Sequence, residues 1–234
     1  MKVEQKSPKQ GLPEVVGTAH WATKLVGREN IRLWVWNKRL RDSAEGGKPS
    51  GVVLFVHGSS MASTPVYDLQ VPGRPEALLM DTFARLGYDT WCFDCEGYGR
   101  SDKHRDMNAN VADGADDVEA IMEVITQQTG QKKVMMQGTS SGALRAALYA
   151  QRHPERVSKL ILDAFVWTGE GSPTLAERKK GLAQYRANNR RPIDRQSVER
   201  IFTVADEALV RTHWDVARAR PSMSAVSGAS NGRW

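Results

Sequence analysis

The sequence predicts an α/β domain: a mostly parallel sheet with helices on both faces, followed by a polar helical segment. Three observations predict it. Four short apolar runs, "VVLFVHG", "YDTWCFD", "KKVMMQG" and "VSKLILDAF", suit strands buried on both sides. The segments between them carry helical spacing of apolar residues. The length, 234 residues, is ample for one domain with a substantial core and short for two.

The first thirteen residues, "MKVEQKSPKQGLP", are polar, with no apolar stretch behind their lysines, and read as a flexible leader rather than a secretory signal. "EVVGTAHWATKLVG" and "IRLWVWNKRL" read as two β-rich segments, an antiparallel pair at one edge. After the turn-rich "DSAEGGKPSG" comes the first buried strand, "VVLFVHG". A helix is expected over residues 75–86, with Ala77, Leu78, Met80, Phe83 and Ala84 on its apolar stripe. "YDTWCFD" is the next strand and ends in the Gly-rich "CEGYGRSD". A helix over residues 115–128 places Val118, Ile121, Met122 and Ile125 at i, i+3, i+4 and i+7, and Gly130 is a fitting stop. "KKVMMQG" is the third buried strand, "SGALRAALYAQRH" its helix and "VSKLILDAF" the fourth. Right-handed crossovers wind this repeat into one sheet. The core is thus expected over residues 14–168. Residues 169–211 are polar, with helical but no strand signal, and residues 212–234 are low in large aliphatics and expected to be disordered.

Composition narrows the function classes. A chain that is 40% hydrophobic and 26% charged is an ordinary globular one, and no window approaches a membrane span. With two cysteines and no export signal, the cytoplasm is the default compartment. Cys92 and Cys95 form a C-x-x-C, but in a strand and its exit turn. A redox pair needs a helix N-terminus, so a structural role is expected. The net charge of +6 concentrates in residues 178–200, "RKKGLAQYRANNRRPIDRQSVER". No zinc-finger spacing, RNA-binding aromatic signature or helix-turn-helix pattern accompanies it, so a solvated helical face is expected and no nucleic acid partner. "EGYGRSD" has Asp102 where a dinucleotide site needs its third glycine, and "HRD" at residues 104–106 lacks the other kinase motifs.

The chemistry gathers at the carboxyl ends of the strands. At the third junction stands "GTSSG", residues 138–142, between a strand and a helix. A nucleophile elbow holds its serine in a strained conformation and needs small residues two before and two after it. Centring on Ser140 puts Gly138 and Gly142 there; centring on Ser141 puts Thr139 and Ala143. Ser140 is therefore the candidate nucleophile. The backbone N–H of Ser141, at the start of the helix, is one expected oxyanion donor. The other is the N–H of Ser59, after "VVLFVHG". His57, at that strand's end, is expected to orient the loop through hydrogen bonds rather than to act as a base or metal ligand.

These features resemble the α/β-hydrolase superfamily, in its serine-nucleophile branch. The matching residues are His57-Gly58-Ser59-Ser60, the D-x-x-G-x-G-x-S turn of residues 94–101 and the elbow of residues 138–142. "AQRHPERVSKLILDA" is similar to the helix and strand that follow the elbow there. The resemblance covers roughly residues 15–205. It implies hydrolysis of an ester, amide or related bond of a small substrate through an acyl-enzyme on Ser140, with no cofactor and no metal. It also implies that residues 169–211 begin a cap above the site. A serine needs a base, and the base an orienting acid, which in this family follow the serine in the order acid, then His. His153 lies a dozen residues along the helix, roughly 20 Å from Ser140 at about 1.5 Å per residue, and is excluded. His213, with Asp163 as its acid, has the right chain order and needs the cap to fold back over the elbow. No later strand carries an acid or a His. The expectation is an α/β-hydrolase incomplete at its C-terminal side, either a weakly active serine hydrolase or a catalytically dead binding protein.

Overall fold

The structure is a computed structural model and describes residues 12–44, 47–74, 78–106, 108–165, 168, 170–188, 191–202, 204–219 and 230–232. Six strands build the main sheet: β1 (Val15–Val26), β2 (Glu29–Leu40), β3 (Val52–Val56), β4 (Asp89–Phe93), β5 (Val134–Thr139) and β6 (Val157–Asp163). Their order across the sheet is β1-β2-β4-β3-β5-β6. β1 pairs with β2, and β2 with β4, antiparallel; β4, β3, β5 and β6 run parallel. The β-rich pair at the N-terminal side therefore forms one edge, as its sequence indicates, and β3 sits in the middle with every residue buried.

The apolar run of β3 serves two cores because successive side chains point to opposite faces. Val52, Leu54 and Val56 pack with Trp91, Phe93 and Met136 beneath Val118, Ile121, Met122 and Ile125 of α4 (Val111–Thr129) and Ala146 and Tyr149 of α5 (Ser141–Arg152). Val53, Phe55 and Cys92 face the other way, onto Tyr67 of α2 (Ser63–Tyr67) and Met80 and Phe83 of α3 (Leu79–Arg85). A single turn, α1 (Arg41–Ala44), follows β2.

Helix boundaries differ from the sequence expectation where polar caps decide them. α4 begins four residues earlier than expected. The Asn110 side chain accepts the N–H groups of Ala112 (2.7 Å) and Asp113 (3.0 Å), and the Asp113 carboxylate accepts the Asn110 N–H (2.8 Å). That reciprocal box starts the helix at Val111. It stops at Gly130, whose φ of 70° is the left-handed conformation foreseen for it. α3 lies inside the expected 75–86 span, of which residues 75–77 fall outside the described residues. The short α2 was not foreseen.

Beyond β6 come α6 (Pro173–Lys180), α7 (Leu182–Ala187), β7 (Arg191–Ile193), α8 (Arg195–Ile201), α9 (Glu207–Ala219) and β8 (Ser230–Gly232). Two expectations are corrected here. Residues 169–211 were to lack strands, yet β7 pairs antiparallel with β8; three residues are too few to show an alternation. Disorder was expected from residue 212, yet α9 continues to Ala219. Its buried stripe of Val210, His213, Trp214 and Ala217 is short of aliphatics, which is why its spacing went unread. Val210 and Trp214 pack with Val198 of α8 and with Met61 and Phe202, and α9 touches α2. Of the expected leader, residues 1–11 lie outside the described residues. Among the described residues no helix is long and apolar enough to cross a membrane.

A buried ion cluster ties the edge strand to the rest. Lys24 on β1 places its Nζ 3.1 Å from Glu96 and 2.5 Å from Asp117 on α4, and Arg105 grips Glu96 through two bonds of 2.6 Å. Lys24, Glu96 and Asp117 are all buried. Removing Lys24 leaves Glu96 with Arg105 alone and Asp117 buried without its cation, a loss of about 3 kcal/mol or more. Lys24→Met is expected to lower unfolding free energy by that amount in urea denaturation, whereas Arg152→Met, at an exposed pair with Asp116, is expected to change it by less than about 1 kcal/mol.

Candidate active site

The turn between β5 and α5 is built on one strained residue and two glycines. Ser140 has φ 57° and ψ −122°, a conformation that side-chain-bearing residues seldom adopt and that costs on the order of 1–3 kcal/mol. Its neighbours hold it there: the Ser140 N–H donates to the Asp163 carbonyl (2.9 Å), and the Ala143 N–H donates to the Ser140 carbonyl (3.0 Å). A Cβ on Gly138 would overlap the Gly142 carbonyl and stand 2.7 Å from the Ala143 Cα. A Cβ on Gly142 would overlap the Val56 carbonyl oxygen and stand 2.6 Å from that of His57. Helix and strands thus meet backbone to backbone on either side of Ser140. Ser141, centred instead, would leave neither glycine with that task.

The loop after β3 closes against this turn. A Cβ on Gly58 would lie 3.1 Å from the Thr139 carbonyl oxygen and 3.7 Å from Ser140 Oγ, so the loop backbone runs directly beside the hydroxyl. Ser59 comes next, buried, with its carbonyl accepting the Tyr98 hydroxyl (3.1 Å). Among the described residues, neither the Ser59 N–H nor the Ser141 N–H meets an acceptor. Two unused donors therefore stand on the two backbone segments that meet at Ser140.

His57 fixes the loop. Its Nε2 accepts the Cys95 N–H (3.0 Å), which leaves the proton on Nδ1 to be donated to the Gly58 carbonyl (2.6 Å). Full burial, reinforced by the Arg145 guanidinium, lowers its pKa to about 4. With both nitrogens engaged and the ring neutral, His57 orients the loop, as expected from its place at a strand end. Arg145, on α5, donates to the His57 carbonyl (3.1 Å) and lies 3.3 Å from Cys95 Sγ. It is buried, and a Cβ on Gly114 of α4 would stand 2.6 Å from its Nε. Sequence reasoning passed over Arg145, since an arginine inside an apolar helical stripe gives no signal of its partners.

The turn of residues 94–101 forms the floor. Asp94 accepts the Ser63 N–H (2.9 Å) and hydroxyl (2.6 Å) at the start of α2, and the Arg100 N–H (3.0 Å). Ser101 Oγ accepts the Trp34 N–H (2.9 Å) and donates to the Asp94 carbonyl. The motif's acid and serine thus anchor β2, α2 and the loop under Ser59. Both cysteines are buried, and burial pushes the Cys95 thiol up to about 12, the reverse of a redox thiol.

The two weak candidates for acid and base are not brought together. Asp163 is exposed at the end of β6 and serves Ser140 through its backbone carbonyl. His213 is buried on α9 with its ring 4.9 Å from Phe202 and its Nδ1 without a hydrogen-bond partner among the described residues. No hydrogen bond or ion pair joins His213 to Asp163, or either side chain to Ser140, among the described residues. α9 does fold back toward the site, but onto α2 and Met61. His153 stands at the far end of α5, its ring 4.9 Å from Tyr149.

Comparison with known proteins gives a concordant result. The family model for the alpha/beta hydrolase fold matches residues 51–210. Over 101 residues the chain is 33% identical to a 2-hydroxy-6-oxononadienedioate/2-hydroxy-6-oxononatrienedioate hydrolase of Paraburkholderia phymatum, covering 41% of this chain and 31% of that protein. A hydrolase of the same name from Klebsiella pneumoniae is 28% identical over 122 residues, covering 50% and 36%. The chain spans about a third of the length of these curated relatives. Among solved structures, a probable hydrolytic enzyme of Pseudomonas aeruginosa shares the fold with a TM-score of 0.57 at 16% identity, over 86% of this chain and 59% of that one. The thioesterase domain from the curacin biosynthetic pathway does so with a TM-score of 0.55 at 18% identity, over 93% and 70%.

Two expected outcomes test the geometry. Gly142→Ala drives a methyl into two strand-end carbonyls and is expected to destabilise the fold by about 2 kcal/mol or more in thermal or urea unfolding; Gly130→Asn, at an open left-handed cap, is expected to cost far less. His57 binds its proton less readily folded than unfolded. Its contribution to stability is therefore complete above about pH 6.5 and is lost as pH falls toward 4. Unfolding measured at pH 7 and pH 4.5 is expected to show about 2 kcal/mol more acid sensitivity in the wild type than in His57→Gln.

Proposed function

Because this chain belongs to the alpha/beta hydrolase fold family, we propose that it is a serine hydrolase cleaving an ester, amide or similar bond of a small substrate through Ser140. One observation carries the proposal. The only non-glycine residue of the strand-to-helix turn with positive φ is a serine, its hydroxyl runs beside the Gly58 backbone, and the N–H groups of Ser59 and Ser141 on the two adjoining segments meet no acceptor among the described residues.

The chemistry follows from those parts. Ser140 Oγ bonds to the carbonyl carbon of the substrate and gives up its proton to a base. The carbonyl oxygen becomes an oxyanion, accepted by the N–H groups of Ser59 and Ser141 and favoured by the N-terminus of α5. Collapse of the adduct expels the alcohol or amine, which takes up a proton, and leaves an acyl group on Ser140. Water then attacks the acyl carbon and gives its proton to the base; collapse breaks the bond to Ser140 Oγ, which takes up that proton, and releases the acid. No cofactor takes part in these steps. α6–α9 act as the cap, with α9 seated on α2 beside the loop that carries Ser59. The relatives named as hydrolases support hydrolysis as the reaction class; the short matched segment carries no substrate.

A second reading is favoured by one feature: among the described residues no imidazole is hydrogen-bonded to Ser140. A chain with the oxyanion half of a site and no base would bind a carbonyl ligand without turning it over. A fluorophosphonate probe separates the two, because it labels an activated serine. The expected outcome is stoichiometric labelling of the wild type and of Ser141→Ala, mapped to Ser140 by peptide mass spectrometry, and none of Ser140→Ala. Absence of labelling in the wild type, or labelling that survives Ser140→Ala, would overturn the hydrolase proposal.

A further inference from the structure

Arg145 is a buried cation with no anion bonded to it. It is 4% exposed, and its bonds go to the neutral His57 carbonyl (3.1 Å) and to Cys95 Sγ (3.3 Å), with its guanidinium 5.9 Å from the centre of the Tyr98 ring. Among the described residues no carboxylate pairs with it, and Asp117 acts on it only through space. A buried charge in that state costs stability, and an apolar side chain would fill the same space at less expense. Its slot is left by Gly114 of α4, where a Cβ would stand 2.6 Å from the Arg145 Nε.

Both groups that Arg145 holds adjoin His57. One is the His57 carbonyl itself. The other is the side chain of Cys95, whose N–H donates to the His57 ring at Nε2 (3.0 Å). Nδ1 then donates to the Gly58 carbonyl (2.6 Å). The Gly58–Ser59 peptide is trans, so its C=O and N–H point in opposite directions. Holding the carbonyl on His57 therefore turns the Ser59 N–H away from the buried ring, and no described residue accepts it. Protonation of His57 would break this arrangement, because Nε2 would present a second donor to the Cys95 N–H. Arg145 on α5 opposes that protonation, and Asp94 at the end of β4 favours it. Cys95, through its N–H, and Tyr98, with its ring 4.8 Å away, are the other titratable residues against His57. Burial and then Arg145 prevail, and the pKa falls to about 4.

We propose that Arg145 is a positioning residue for the oxyanion site: acting through His57, it fixes the Gly58–Ser59 peptide so that the Ser59 N–H stays turned away from the interior and free to donate. The proposal deepens the hydrolase reading and rests on it for the use made of that N–H.

Two readouts on the wild type, Arg145→Met and Arg145→Lys test it, with Arg152→Met, at an exposed pair on the same helix, as the control. Circular dichroism first establishes that all four proteins are folded. Nitrogen-15 NMR of the histidine rings reads the tautomer and titration of His57, and the rate of fluorophosphonate labelling reads the site at Ser140. The wild type and Arg152→Met are expected to show a neutral His57 at pH 7 with its proton on Nδ1. In Arg145→Met, His57 is expected to titrate roughly one pH unit higher, since a cation beside it is gone. Labelling of that variant is expected to be slower by about tenfold or more, since the His57 carbonyl has lost its donor and the loop its register. Arg145→Lys keeps the cation and is expected to hold His57 near its wild-type titration and to recover part of the rate. An arginine that only filled space would leave the titration of His57 unchanged and slow both variants alike. An unchanged titration and tautomer in Arg145→Met, or equal and measurable labelling of Ser140 in Arg145→Met and the wild type, would overturn the proposal. A wild type that the probe leaves unlabelled would overturn the hydrolase reading instead, and the NMR readout then decides the positioning role alone.

Discussion

Contact without side chains organises this molecule: the first turn of α5 rests on the carbonyl ends of β3 and β5 with only hydrogen atoms between. Gly142 meets the carbonyls of Val56 and His57, and Gly138 meets the Gly142 carbonyl and the Ala143 Cα. The helix starts so close to the sheet that the one residue between them, Ser140, must turn through positive φ. That strain lifts a hydroxyl to the carboxyl end of the sheet, next to the Ser141 N–H at the head of α5, which meets no acceptor among the described residues. A methyl group at either glycine would push the helix away and undo both effects.

The remaining polar groups near the site hold the second backbone segment in place against the first. Arg145 reaches from α5 to the His57 carbonyl, His57 takes the Cys95 N–H, Tyr98 binds the Ser59 carbonyl, and Asp94 caps α2. Each of these groups is buried, where an unmet hydrogen bond is costly, so the loop after β3 has one favourable arrangement. Its consequence is positional: the backbone of Gly58, the residue before Ser59, is kept beside a hydroxyl that belongs to a different strand.

The parts legible in the sequence were those set by short-range sterics and by periodicity. Strands such as "VVLFVHG" declare themselves because both faces are buried, and the elbow does so because only glycine tolerates the approach at positions 138 and 142. His57 was placed correctly by its position at a strand end. What stayed hidden depends on distant partners. Arg145 shows no partner in the sequence, because the room for it is left by Gly114, 31 positions away on α4. Asp94 and Ser101 were visible as a motif, but their bonds to Ser63 and Trp34 were not. The part of α9 from residue 212 on reads as a disordered tail because Trp214 and alanines, rather than leucines, make up its apolar stripe. The candidate pair of Asp163 and His213 is not joined among the described residues, where α9 seats His213 against Phe202.

The central claim is that the backbone on both sides of Ser140 forms one oxyanion site. A crystal structure of the chain after reaction with a fluorophosphonate addresses it most directly. The expected result is phosphorus bonded to Ser140 Oγ, with its non-bridging oxygen within about 3 Å of both the Ser59 and Ser141 backbone nitrogens. An adduct whose oxygen faces solvent, or one formed on another serine, would contradict it.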